Sequence, residues 1–133
     1  MTDLATLQDW LDRYERAWRS NDAATVEALF TEDAVYRWRP WDTPADSANG
    51  RAQIVEAWLK DPDAPDSWSL ECEPLAVNGD LGVARCIARY AVSANREKPV
   101  TYHCIWLVRL DPDGRCSDFT EHYMENPNDP GLV

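Results

Sequence analysis

The sequence predicts an α+β domain in which three helices and a short strand precede four long antiparallel strands. Three observations carry this. Up to Leu59, apolar residues recur at three- and four-residue steps, the helical period. From Ser67 onward they recur at two-residue steps, the period of a half-buried strand. Between Tyr14 and Trp41 a helix ends, a short capped helix follows and a strand begins.

Leu4, Leu7, Leu11, Tyr14 and Trp18 mark one face of the first helix, with Asp9, Asp12, Arg13, Arg16 and Arg19 opposite. Thr2 or Asp3 can cap its start. Ser20-Asn21-Asp22 interrupts and recaps, so a second helix is expected from about Asp22 to Phe30. Ala34 to Arg39 is rich in β-formers and reads as a short strand. Pro40 to Asn49 reads as a loop. Gly50 opens a third helix carrying Ile54, Val55, Trp58 and Leu59 on one face, and Pro62 and Pro65 stop it. Trp68, Leu70 and Cys72 then alternate with polar residues. Pro74 breaks that phase, as at a bulge or a sheet edge. Asn78-Gly79-Asp80 is a hairpin signal and Asp111-Pro112-Asp113-Gly114 a second turn. They bound strands at Leu81–Ala94, Val100–Leu110 and about Arg115–Glu125. The 133 residues read as a single domain, with an ordered core of about 3–126 and a loose C-terminal tail.

The formal net charge is −11, from 13 Lys and Arg against 24 Asp and Glu, so the protein repels phosphate backbones and anionic lipid. Nucleic acid and membrane are therefore excluded as expected partners. No apolar run is long enough for a membrane helix, and the N-terminus lacks the basic and apolar regions of a signal peptide, which leads to a cytoplasmic expectation. Cys72, Cys86, Cys104 and Cys116 have spacings that match no zinc pattern and fall in expected strands, where free thiols act as small hydrophobes. No cofactor motif is found. Seven tryptophans are an excess, and indoles are costly to bury completely, so several are expected on a surface shared with a ligand or partner.

The order of elements and several local sequences resemble the nuclear transport factor 2-like superfamily, in its SnoaL-like (polyketide-cyclase-like) branch. The resemblance is carried by Tyr14-x3-Trp18, Asp22, Leu29-Phe30-Thr31-Glu32-Asp33-Ala34-Val35, Gly50-x3-Ile54-x3-Trp58, and Asp113-Gly114-Arg115-Cys116-x2-Phe119-Thr120-Glu121-x-Tyr123. It spans about Leu4 to Asn126. It implies a cone, in which three N-terminal helices pack in a strongly bent, mostly antiparallel sheet around an apolar pocket open at one end. It also implies a homodimer formed through the convex face. Members include isomerases, dehydratases, cyclases, epoxide hydrolases and pure binding modules, so the fold does not name the activity.

Tyr14 falls where ketosteroid isomerases of this superfamily carry a tyrosine, but Trp38 occupies their aspartate position and cannot abstract a proton. Glu121 shares a strand face with Phe119 and Tyr123. On a concave face it is a desolvated acid suited to proton transfer; otherwise it is an ion-pair partner of Arg85 or Arg89. Arg89 is a candidate for binding a ligand carboxylate or carbonyl, with a surface arginine as the alternative. Tyr14, Trp18, Trp38, Trp41, Trp58, Trp106 and Tyr123 come from separate elements, and they either line a cavity or fill the cone. His103 and His122 are out of phase with these aromatic faces and are expected to point outward. The expected function is binding of a small hydrophobic or aromatic molecule, with acid–base catalysis by Glu121 and a hydrogen bond from Tyr14. The alternative is a protein-interaction or assembly module with a filled cavity.

Overall fold

A computed structural model describes residues 2–132 of the chain. The elements run α1 (Leu4–Ser20), α2 (Ala23–Glu27), β1 (Phe30–Arg37), β2 (Ala48–Asn49), α3 (Arg51–Lys60), β3 (Trp68–Asn78), β4 (Leu81–Tyr90), β5 (Val100–Leu110) and β6 (Cys116–Glu125). Six strands form one curved sheet in the order β2-β1-β6-β5-β4-β3. The sheet is mixed, because β1 lies parallel to β6 while every other pairing is antiparallel. Among the described residues no helix is long and apolar enough to cross a membrane.

Asp3 caps α1, its Oδ1 accepting from the Thr6 N–H at 2.7 Å. Asn21 ends the helix in the left-handed region at φ 52°, one of the few conformations asparagine tolerates better than most residues. The buried face of α1 is Leu7, Trp10, Leu11, Tyr14 and Ala17. It is turned slightly from the expected stripe, since Leu4 is exposed and Trp10 is fully buried. Trp10 earns its place by satisfying its own polar atom, donating Nε1–H to the Leu29 carbonyl at 3.0 Å. The opposite wall comes within contact distance at Gly82, where a Cβ would meet Leu7 Cδ1 at 2.9 Å.

α2 is shorter than its apolar pattern predicts. Asp22 caps it, but it ends at Glu27 and Phe30 already belongs to β1. The Leu29 carbonyl accepts from Trp10 Nε1 and from Cys116 N at 2.7 Å, so sheet pairing takes this segment from the helix. The expected Pro40–Asn49 loop also contains the two-residue strand β2, which covers the outer edge of β1. β3 is the opposite edge strand, and its register slips between Pro74 and Ala76, so the proline breaks both phase and ladder.

The C-terminal tail makes contacts with the sheet. Asn126 N–H donates to the Thr101 carbonyl, Leu132 N–H to the Tyr90 carbonyl, and Asp129 pairs with Arg89 at 3.0 Å. Gly131 permits this docking with φ 91°, where any Cβ would meet Tyr90 O at 2.7 Å.

The closed end of the cone is a solid aromatic core. Trp10 packs edge-on to Phe30 and beside Phe119, all three fully buried. Toward the other end of α1 this packing gives way to a cavity.

Candidate functional site

The cavity holds about 500 Å³ and opens to solvent. Each wall comes from a different element. α1 contributes Tyr14, Trp18 and Asn21, one turn apart along the helix. α3 contributes Ile54, Ala57 and Trp58. β1 contributes Tyr36, followed by Trp38 and Arg39. Alternate residues of the sheet supply the rest: Ala88 and Tyr90 on β4, Tyr102, Cys104 and Trp106 on β5, Glu121 and Tyr123 on β6. Asp61, Asp63 and Arg96 stand on loops at its edge, so the rim is more polar than an apolar pocket would be.

The structure therefore brings Tyr14, Trp18, Trp38, Trp58, Trp106, Glu121 and Tyr123 together around one space. Two expected ligand residues lie elsewhere. Trp41 is 74% exposed and does not reach the cavity. Asp42 folds the turn before it, accepting from the backbone N–H groups of Trp38 and Arg39 and from Arg39 Nε at 2.8 Å, and the indole is left outside. Arg89 is on the outer face of β4, where it pairs with Glu71 at 2.7 Å and Asp129 at 3.0 Å. Its alternation with Ala88 and Tyr90, which do line the cavity, places it there. Arg85 is likewise outside, paired with Glu73.

Glu121 is thus free of both arginines considered as its partners. Burial pushes its carboxyl from the usual 4.5 up to about 7. The Cys104 thiol, 3.5 Å from Oε1, the positive charge of Arg96 and the nearby Trp106 indole hold that rise back in part. Trp106 Nε1 does not complete a hydrogen bond, and neither does Trp58 Nε1, so both indoles leave a buried donor unsatisfied beside the cavity.

Tyr14 and Tyr36 form the other polar feature. Their hydroxyls are 2.8 Å apart and buried. Burial is the main reason that both phenols ionise well above their usual range, and the neighbouring Glu121 charge adds to it. Both stay protonated at neutral pH. Since one hydroxyl donates to the other, the acceptor keeps a free O–H that can donate elsewhere. Tyr14 is also surrounded by rings, with Trp106 and Trp58 at 4.7 and 4.9 Å between centroids.

Sequence reasoning missed Tyr36, although Ala34, Tyr36 and Trp38 alternate in the expected strand and share a face. It also missed Tyr90, Tyr102 and Cys104, which follow from the same alternation once the concave face is known. Arg96 lies in an irregular connection with no period to read.

A sequence model of the SnoaL-like domain matches residues 11–119. No curated protein is close enough in sequence to count as a match. Among solved structures, the epoxide hydrolase/cyclase-like enzyme SalBIII, described in pyran ring formation in the polyether salinomycin, superposes with TM-score 0.73 at 20% identity, covering 100% of each chain. An LEH-like epoxide hydrolase of M. tuberculosis gives 0.66 at 12% identity, over 92% of this chain and 86% of its own. A protein of unknown function with a cystatin-like fold from Methylobium petroleophilum PM1 gives 0.68 at 18%, over 98% and 83%. At these identities the likeness is one of fold.

Proposed function

This chain belongs to the SnoaL-like domain family, and on that premise we propose that its cavity binds a small hydrophobic or aromatic molecule on which Glu121 acts as a general acid–base. The observation that carries this reading is the Glu121 carboxyl without an ion-pair partner, poised at about 7 in the same cavity as a protonated tyrosine pair. A carboxyl near neutrality is populated in both forms, so it can take a proton from a substrate C–H or O–H and return it at another atom. The free O–H of the Tyr14–Tyr36 pair would donate to a substrate oxygen that gains negative charge in that step. Trp58 and Trp106 would flank the ring system. Such a transfer is the chemistry of an isomerase, cyclase or dehydratase, and it requires no cofactor.

The open volume of the cavity favours a ligand over an assembly module with a filled cone. The net charge of −11 favours a small molecule over nucleic acid or a membrane surface. We also propose a homodimer through the outer sheet face, where exposed Ile105 is neighboured by partly exposed Val83, Ile87 and Leu107. Sedimentation giving a monomer at all concentrations would refute that assembly.

The test is tryptophan fluorescence quenching with steroids, polycyclic aromatics, terpenoids and hydrophobic acids, followed by turnover assays on the class that binds. Glu121→Gln is expected to lower turnover by about 10²- to 10⁴-fold while leaving the dissociation constant within a few-fold. Unchanged turnover would remove Glu121 from the chemistry. Absence of saturable quenching by any class would turn attention to a protein partner.

A further inference from the structure

The connection between β4 and β5 places one cation on the cavity wall in an unusual state. Arg96 lays its guanidinium over the Tyr90 ring, with Cζ 3.7 Å from the centroid, and 5.7 Å from that of Tyr102. Its Nε is buried and has no hydrogen-bond partner. It takes part in none of the ion pairs among the described residues, whereas Arg39, the other cation of the wall, is engaged by Asp42. Asp63, which shares the rim, is already occupied: Oδ1 accepts from Asn95 Nδ2 at 3.1 Å and Oδ2 from Trp18 Nε1 at 3.2 Å.

A partly buried guanidinium without an anion is costly, and a planar fork stacked on an aromatic ring is pre-oriented to receive one. The net charge of −11 repels an anion at long range, so its binding needs a local cation such as this one. Tyr90 and Tyr102 hold this charge at the aromatic side of the cavity, on the same surface as Glu121 and Trp106.

We propose that Arg96 is the anion-binding element of the cavity, and that the ligand is a hydrophobic acid whose carboxylate pairs with this guanidinium while its apolar body lies against Trp58 and Trp106. The inference rests on the small-molecule reading of the cavity and narrows its substrate class. Arg96 is a specificity residue here, and the reacting proton remains with Glu121. A carboxylate would pair with the guanidinium through charge-assisted hydrogen bonds, while the corresponding methyl ester would leave the charge uncompensated.

The experiment is calorimetric titration of the whole chain with three matched pairs: 2-naphthoic acid, anthracene-9-carboxylic acid and abietic acid, each against its methyl ester. At least one acid is expected to bind about 10- to 100-fold more tightly than its ester, with the gap shrinking at high salt. In Arg96→Met the gap should vanish, and in Arg96→Lys part of it should survive, since lysine supplies charge without the fork. Equal binding of acid and ester by the wild type would overturn the role of Arg96 and leave the cavity reading standing. A gap that persists in Arg96→Met would do the same. Should Arg96→Met fail to fold, an undiminished gap in Arg96→Lys would count against the proposal and a reduced one for it. No binding by any acid or ester would overturn both this inference and the small-molecule reading beneath it.

Discussion

The two faces of the same three strands treat charge in opposite ways. On the outer face of β4–β6, each arginine finds a carboxylate: Arg85 with Glu73, Arg89 with Glu71 and Asp129, Arg109 with Asp80, and Asp118 with Arg37. On the inner side, Glu121 has no basic partner within ion-pair distance, and Arg96, on the β4–β5 connection, has no acidic one. Residues of the same strand β6 show the contrast most sharply, since Asp118 is paired outside and Glu121, three positions on, is partly buried inside without an ion-pair partner. Paired surface charges are screened by water and cost little. Unpaired charges beside a cavity hold free energy that a ligand or a reaction can use. The difference separates scaffold from chemistry without any knowledge of the substrate.

The largest expected effect tests the inner face. Folding favours the neutral form of Glu121, because its carboxyl is raised from 4.5 to about 7. Stability is therefore undiminished below about pH 4.5, falls as pH rises toward 7, and carries the whole penalty above it. Glu121→Gln removes the group that must ionise. It should stabilise the protein at pH 8 by on the order of 1–3 kcal/mol and have little effect at pH 4, as read by urea unfolding at the two pH values. A variant that is destabilised equally at both would mean the carboxylate is satisfied in a way the comparison denies.

A smaller effect concerns the polar pair beside it. Tyr36→Phe removes one partner of the buried hydroxyl pair and should cost about 1 kcal/mol in thermal unfolding. The double variant Tyr14→Phe, Tyr36→Phe should cost less than the sum of the two single changes, because no hydroxyl is then left unpaired. Strict additivity would show that the hydroxyls do not depend on each other.

The smallest effect belongs to the outer face. Arg85 and Glu73 are more than half exposed and 3.3 Å apart. Arg85→Met should change stability by less than about 1 kcal/mol, and the change should fade in high salt. A larger, salt-insensitive loss would mean that this face is covered, as in the proposed dimer, and would blur the contrast between the two sides.

Much of the fold was legible in the residues. The change of period at Ser67, a cap at Thr2 or Asp3 (Asp3 in the structure), the recapping at Asp22, the break at Pro74 and the turn at Asn78-Gly79-Asp80 are local signals, and each holds in the structure. The failures have tertiary causes. α2 gives up Leu29 and Phe30 because Trp10 and Cys116 claim the Leu29 carbonyl from distant parts of the chain. β2 is too short to show a period.

For the site, alternation by itself determined that Phe119, Glu121 and Tyr123 share a face, and that Trp106 shares one with Tyr102 and Cys104. The positions of Tyr14 and Trp18 on α1 followed from helical spacing. What only the tertiary structure decided is which face turns inward, because a strand repeats every two residues whichever side is covered. That choice sent Arg89 outward to Glu71 and Glu121 inward to a place without a counterion. It also put Tyr36 within 2.8 Å of Tyr14, and it carried Arg96, from a connection without any period, onto the ring of Tyr90. Local pattern depends on neighbours in the chain, whereas the pairing of charges depends on neighbours in space.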